Sequence, residues 1–74
     1  MREQLLKMLE EACPGIDFEN ETDLVDDEVL DSLDIITIIQ NMIFTFDVEI
    51  DVEDIEPENF NSFETIYELL ESKL

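Results

Sequence analysis

The sequence predicts an all-α fold, a small four-helix bundle with a long first loop and a short third helix, and three observations carry that expectation. A central stretch rich in isoleucine has one continuous helical face, and segments near either end repeat apolar residues at helical spacing. The chain also has enough apolar residues to collapse. Against a net charge of −19, from 22 Asp and Glu and 3 Lys and Arg, it sets 27 Leu, Ile, Val and Phe among 74 residues. That is more than a third, well above the roughly 20% below which chains stay disordered. Its length suits one domain, residues 1–74, with a thin core, since chains near this size bury only about 60% of the surface exposed on unfolding.

Leu5, Met8, Leu9 and Ala12 share one helical face and Pro14-Gly15 stops it, so the first helix is expected from about Arg2 to Cys13. From Ile16 to Leu30 no period holds. Acidic residues there are interrupted by Ile16, Phe18, Leu24, Val25, Val29 and Leu30, which can tie a loop to a core, with a turn at Asp26-Asp27. The strongest pattern follows. Ile35, Ile36, Ile38, Ile39, Met42, Ile43 and Phe46 fall within about 160° at about 100° per residue. A helix over Ser32 to Phe46 is expected, with Asp31 as its N-cap and Asp34 in its first turn, where the helix dipole favours negative charge.

After an acidic connection, Asp47 to Asp51, Ile50 is expected to be a buried anchor, and Val52 to Phe60 to form one short helical turn around Pro57. Asn61 or Ser62 can cap a last helix, about Ser62 to Lys73. Glu64 stands three residues beyond Asn61, at capping-box spacing, and Phe63, Ile66, Tyr67 and Leu70 share one face. Lys73 falls near the negative end of that helix.

Charge and absences exclude several functions. The only basic residues are Arg2, Lys7 and Lys73, so nucleic acid and anionic membranes are poor partners and a basic protein surface is the natural complement. With no His and a single Cys, Cys13, the chain cannot build a His-based triad or a Cys/His zinc site, and it is not expected to be an enzyme. Cys13 suits a semi-buried small apolar residue. Charged residues interrupt Met1–Ala12 where a signal peptide needs an apolar run, and no stretch approaches the roughly 18 apolar residues of a membrane span. A cytoplasmic monomer without membrane insertion is expected. Repulsion among the carboxylates should make salt, divalent cations or mild acidity stabilising.

Locally, Leu30-Asp31-Ser32-Leu33-Asp34 is the most informative stretch. It places a hydroxyl in the first turn of an apolar helix directly after an irregular loop, where unpaired N–H groups and the helix dipole favour an anionic substituent. The plain alternative is that Ser32 merely begins a helix. Leu33, Thr37, Gln40 and Phe44 lie opposite the isoleucine arc, so Leu33 and Phe44 are expected to face outward and suit a docking surface.

Asp31-Ser32-Leu33-Asp34 resembles the prosthetic-group attachment motif of the acyl carrier proteins, the phosphopantetheine-binding carrier family. Leu24-Val25-Asp26-Asp27 before it, Phe46-Asp47-Val48-Glu49-Ile50 after the central helix, and Asn61-Ser62-Phe63 at the last helix also resemble the family, covering most of Asp23 to Leu70. The resemblance implies a four-helix carrier whose Ser32 receives 4′-phosphopantetheine from coenzyme A through a separate magnesium-dependent phosphopantetheinyl transferase. It implies acyl or aminoacyl cargo held as a thioester and shuttled between enzymes such as those of fatty-acid, related lipid or polyketide synthesis. Asp31, Leu33 and Asp34, with Phe44 on the outer face, would serve partner recognition.

The sequence departs from the commonest fatty-acid pattern at Leu30, Thr37 and Ile43, and Val29-Leu30-Asp31-Ser32 with Phe44 resembles D-alanyl carriers about as well. Two other classes remain at this point. Asp47, Glu49, Asp51, Glu53 and Glu58 span twelve residues like an EF-hand loop, but Val52 stands where the turn needs Gly and Pro57 interrupts the exit. An acidic docking adaptor without a prosthetic group is the other.

Overall fold

The computed structural model describes residues 2–74, and among them the secondary structure is all-helical: α1 (Arg2–Ala12), α2 (Ser32–Phe46) and α3 (Phe63–Lys73). Two 3₁₀ turns, Val52–Asp54 and Pro57–Phe60, stand between α2 and α3. No helix among the described residues is long and apolar enough to cross a membrane.

α1 buries Leu5, Met8 and Leu9 against α2 and, more lightly, α3. It ends one residue before the expected boundary, although the Cys13 N–H still donates to the Leu9 carbonyl at 2.9 Å and closes the last turn. Gly15 then takes φ 88°, a backbone conformation that disfavours any side chain.

The long loop lies over the core as its apolar residues lead one to expect. Phe18, Leu24 and Leu30 are buried, and Ile16, Val25 and Val29 pack half-buried beside them. Full burial of one such side chain contributes about 1.5–3 kcal/mol, which offsets the entropy of ordering an irregular segment.

α2 has the bounds its apolar period requires. Ile38, Ile39 and Met42 are buried, and Ile35 and Phe46 are partly so. One edge of the arc is not: Ile36 is 48% and Ile43 40% exposed. The packing explains this, because α2 is covered chiefly by α1 while α3 packs on the second 3₁₀ turn and on α1. Asp47 ends the helix in the left-handed region at φ 54°, its N–H donating to the Ile43 carbonyl at 3.0 Å. Asp is among the few residues that tolerate this conformation.

The connection departs from expectation in three ways. Its buried anchor is Val48, with Ile50 half-buried. Instead of one turn around Pro57 there are two 3₁₀ turns, the second starting at Pro57 and burying Phe60. The capping box of α3 pairs Ser62 with Thr65 rather than Asn61 with Glu64: Thr65 N–H donates to Ser62 Oγ at 3.2 Å, and Ser62 N–H to Thr65 Oγ1 at 3.1 Å.

Long-range polar contacts claim the two displaced residues. Glu64 forms a bidentate ion pair with Arg2 at 2.6–2.8 Å, and Asn61 turns to the long loop. The Arg2 guanidinium also stands 4.5 Å from the centre of the Tyr67 ring and 5.5 Å from that of Phe63. Lys73, in the last turn of α3, reaches Asp54 Oδ2 at 2.7 Å. The hydrogen bond from Lys73 holds the Asp54 carboxyl below its usual range, and the same contact holds Lys73 above its own.

Candidate functional site

The start of α2 is built from the loop side. Leu30 is only 2% exposed, and its N–H donates to the Leu24 carbonyl at 2.8 Å, which fixes the chain one residue before the helix cap. Asp31 is extended, and its Oδ1 accepts from the Asp34 N–H at 2.9 Å. Asp34 Oδ2 accepts from the Asp31 N–H at 3.2 Å, completing a reciprocal box. The Ile35 N–H donates to the Asp31 carbonyl at 3.0 Å, so helical pairing begins one residue past the box.

Ser32 is the first residue of α2 and is exposed. Among the described residues no side-chain hydrogen bond engages its hydroxyl; those at this helix start belong to Asp31 and Asp34. The N–H groups of Ser32 and Leu33 precede the first helical acceptor and point outward with the positive end of the helix dipole. Beside Ser32 opens a cleft of about 440 Å³ with apolar walls from Val25, Ile35 and Pro57 and the acidic residues Glu28 and Asp31 at its lining. Glu28 holds φ 59°, unusual for a residue other than Gly, Asn or Asp, and its N–H donates to the Val25 carbonyl at 3.0 Å.

Of the residues singled out from the sequence, Asp31, Ser32, Leu33 and Asp34 stand together at this point. Phe44 does not join them: twelve residues further along α2 it lies about 18 Å away at 1.5 Å per residue. Leu33 is 74% and Phe44 89% exposed, both outward as expected. At about 100° per residue, Ile43, Ile36, Leu33 and Phe44 follow Ser32 in order around one side of the helix. The uncovered face is therefore wider and more apolar than the sequence suggests.

Charge on this side is of one sign. Asp26, Asp27, Glu28 and Asp31 are exposed, whereas Arg2 and Lys73 are held in ion pairs elsewhere and Lys7 lines a groove between α1 and α2. Among the described residues no three His, Cys, Asp or Glu side chains converge as a metal site. Two neighbours of the helix start escaped sequence reasoning. Cys13, 5% exposed, sits inside it: burial, then the facing Asp34 carboxylate and Asp31, push its thiol up to about 11. Asn61 hydrogen-bonds the loop ahead of Ser32. Neither had a local signal, because each partner lies at least 18 residues away along the chain.

Compared with protein-family models, curated proteins and solved structures, the chain matches none.

Proposed function

We propose that this chain is an acyl carrier in which Ser32 bears 4′-phosphopantetheine, the reading first suggested by the motif Asp31-Ser32-Leu33-Asp34. One observation carries it: Ser32 is exposed and, among the described residues, its hydroxyl has no hydrogen-bond partner, at a helix start whose own cap is complete without it. An attached phosphodiester would meet the free N–H groups of Ser32 and Leu33, which offset the repulsion from Asp31 and Asp34. The cleft lined by Val25, Ile35 and Pro57 offers an apolar resting place next to that oxygen. In the four-helix architecture this implies, the two 3₁₀ turns stand in place of the short third helix.

Modification needs a nucleophile here and a base elsewhere. Ser32 Oγ would form the new bond to phosphorus, the adenosine bisphosphate part of coenzyme A would leave, and the serine proton would pass to the transferase, since this chain has no His. The thiol of the attached group holds cargo as a thioester. The chain itself positions, presents and docks, and the enzymes that load and unload it do the chemistry. Its exposed face of Leu33, Ile36 and Phe44 with acidic neighbours suits basic partner grooves, with fast, weak and salt-sensitive encounters appropriate to a cytoplasmic shuttle. A D-alanyl or other aminoacyl carrier would use the same oxygen.

Coenzyme A carrying a fluorophore on its thiol tests this directly. With magnesium and a broad-specificity transferase, the wild-type chain should become fluorescent and Ser32→Ala should not, while both keep the same helical circular dichroism. Equal labelling of both chains contradicts attachment at Ser32. An adaptor without a prosthetic group predicts no label on either.

A further inference from the structure

We propose that Asn61 is the positioning residue that holds the loop ahead of Ser32 and so sets the cleft beside it. The part of this that concerns modification rests on the carrier function proposed above. Asn61 lies between the second 3₁₀ turn and α3 and is half-buried. Its carbonyl accepts from the Leu24 N–H at 2.8 Å. Its side-chain Oδ1 accepts from the N–H groups of Val25 at 2.9 Å and Asp26 at 3.1 Å, and its Nδ2 donates to Asp26 Oδ2 at 3.1 Å. Among the described residues, no other side chain hydrogen-bonds the backbone of this loop from a separate element.

These bonds lead to Ser32 in two backbone steps. Asn61 holds the N–H of Leu24, and the Leu24 carbonyl holds the N–H of Leu30, two residues before Ser32. They also fix the cleft from both sides, since Val25 is one wall and Pro57, at the start of the turn that Asn61 follows, is another. The chemistry at this position requires an acceptor for two N–H groups and a donor toward a carboxylate, both on one short side chain. Asn supplies both; Asp would supply the acceptor and set a second negative charge against Asp26.

A swap of the two groups tests the assignment. Asn61→Asp keeps the acceptor and opposes Asp26, whereas Asn61→Asp with Asp26→Asn exchanges donor and acceptor and restores the bond. By hydrogen exchange, Asn61→Asp should speed the Val25 and Asp26 amides about tenfold relative to those of α1, and the double variant should return within about threefold of wild type. The amide chemical shifts of Ser32 and Leu33 should move and return in parallel. The KM for transferase modification should rise in Asn61→Asp, with kcat little changed, and recover in the double variant. Should Asn61→Asp fail to fold, Asp26→Ala, at an exposed site, removes only the side-chain bond and should show the same localised exchange at smaller size. Exchange that is unchanged at Val25 and Asp26, or a double variant no better than Asn61→Asp, overturns the claim that Asn61 holds the loop. Altered exchange with unchanged Ser32 shifts and unchanged modification overturns the positioning role. If the wild-type chain accepts no phosphopantetheine, the carrier proposal fails, and the exchange and shift data alone decide on Asn61.

Discussion

Ser32 owes its exposure to buried neighbours. Leu30 plugs the core two residues earlier, Asp31 closes the cap, and the hydroxyl is left outside the polar pairing. Cys13 lies on the inner side of the same helix start and has the opposite fate. Its thiol, pushed up to about 11 by burial and by Asp34 and Asp31, stays protonated at neutral pH and is expected to resist alkylation until the chain unfolds. The sign of the stability effect follows. Between the ordinary thiol value of 9.0 and about 11 the unfolded chain loses this proton while the folded chain keeps it, so stability falls as pH rises through that interval. Lys73, held protonated by Asp54, adds a loss in the same direction in every variant, so the Cys13 share appears as a difference. Urea midpoints measured from pH 8 to 11 should decline less steeply for Cys13→Ala than for wild type; parallel declines contradict the assignment.

Among the elements, α2 depends most on its own first turn. Asp31→Ala removes the side-chain acceptor for Asp34 N–H, while the reciprocal bond from the backbone N–H of residue 31 to Asp34 Oδ2 keeps both its partners, and should cost about 1 kcal/mol by urea denaturation. A cost near zero would mean that the Asp31 side chain adds nothing to the helix. The bounds of α2 were legible because fifteen residues of strong apolar period outvote every local signal, and Asp31 beside them is an ordinary cap. The exposure of Ile36 and Ile43 was not, because the width of a buried stripe depends on how many neighbours cover it, and α3 sits elsewhere. The stretch from Val52 to Phe60 is too short for a period, and Pro57 is as good a start to a second turn as an interruption of one. At α3, Asn61 and Ser62 compete for the same cap by sequence. A contact with residues about 35 positions away decides between them, and no local pattern carries that information. The stretch Asp31-Ser32-Leu33-Asp34, on which the proposed attachment rests, was legible, since its four residues are contiguous. The bonds from Asn61 to the loop and the exposed apolar side of α2 exist only once the chain is folded.

Taken as a whole, the molecule concentrates 22 acidic residues on a chain with a Cα radius of gyration of 10.9 Å. Two of its three cations join α1 to α3 and α3 to the first 3₁₀ turn, so little positive charge remains to relieve the surface. Melting temperature should therefore rise when sodium chloride is raised from about 10 mM to about 150 mM, as the screening length falls from roughly 30 Å to 8 Å. Magnesium should do more at equal ionic strength. A melting temperature indifferent to salt would show that repulsion does not limit this fold. Under the proposed carrier function, the same charge would govern the encounter with a basic partner, which should weaken as salt stabilises the fold.

Whether the exposed oxygen of Ser32 is an attachment point can be decided by weighing the intact chain. After incubation with coenzyme A, magnesium and a broad-specificity transferase, mass spectrometry should find one phosphopantetheine added per chain, located on the peptide containing Ser32. An unchanged mass under conditions that modify a known carrier, or an addition at any other residue, would contradict the proposed function.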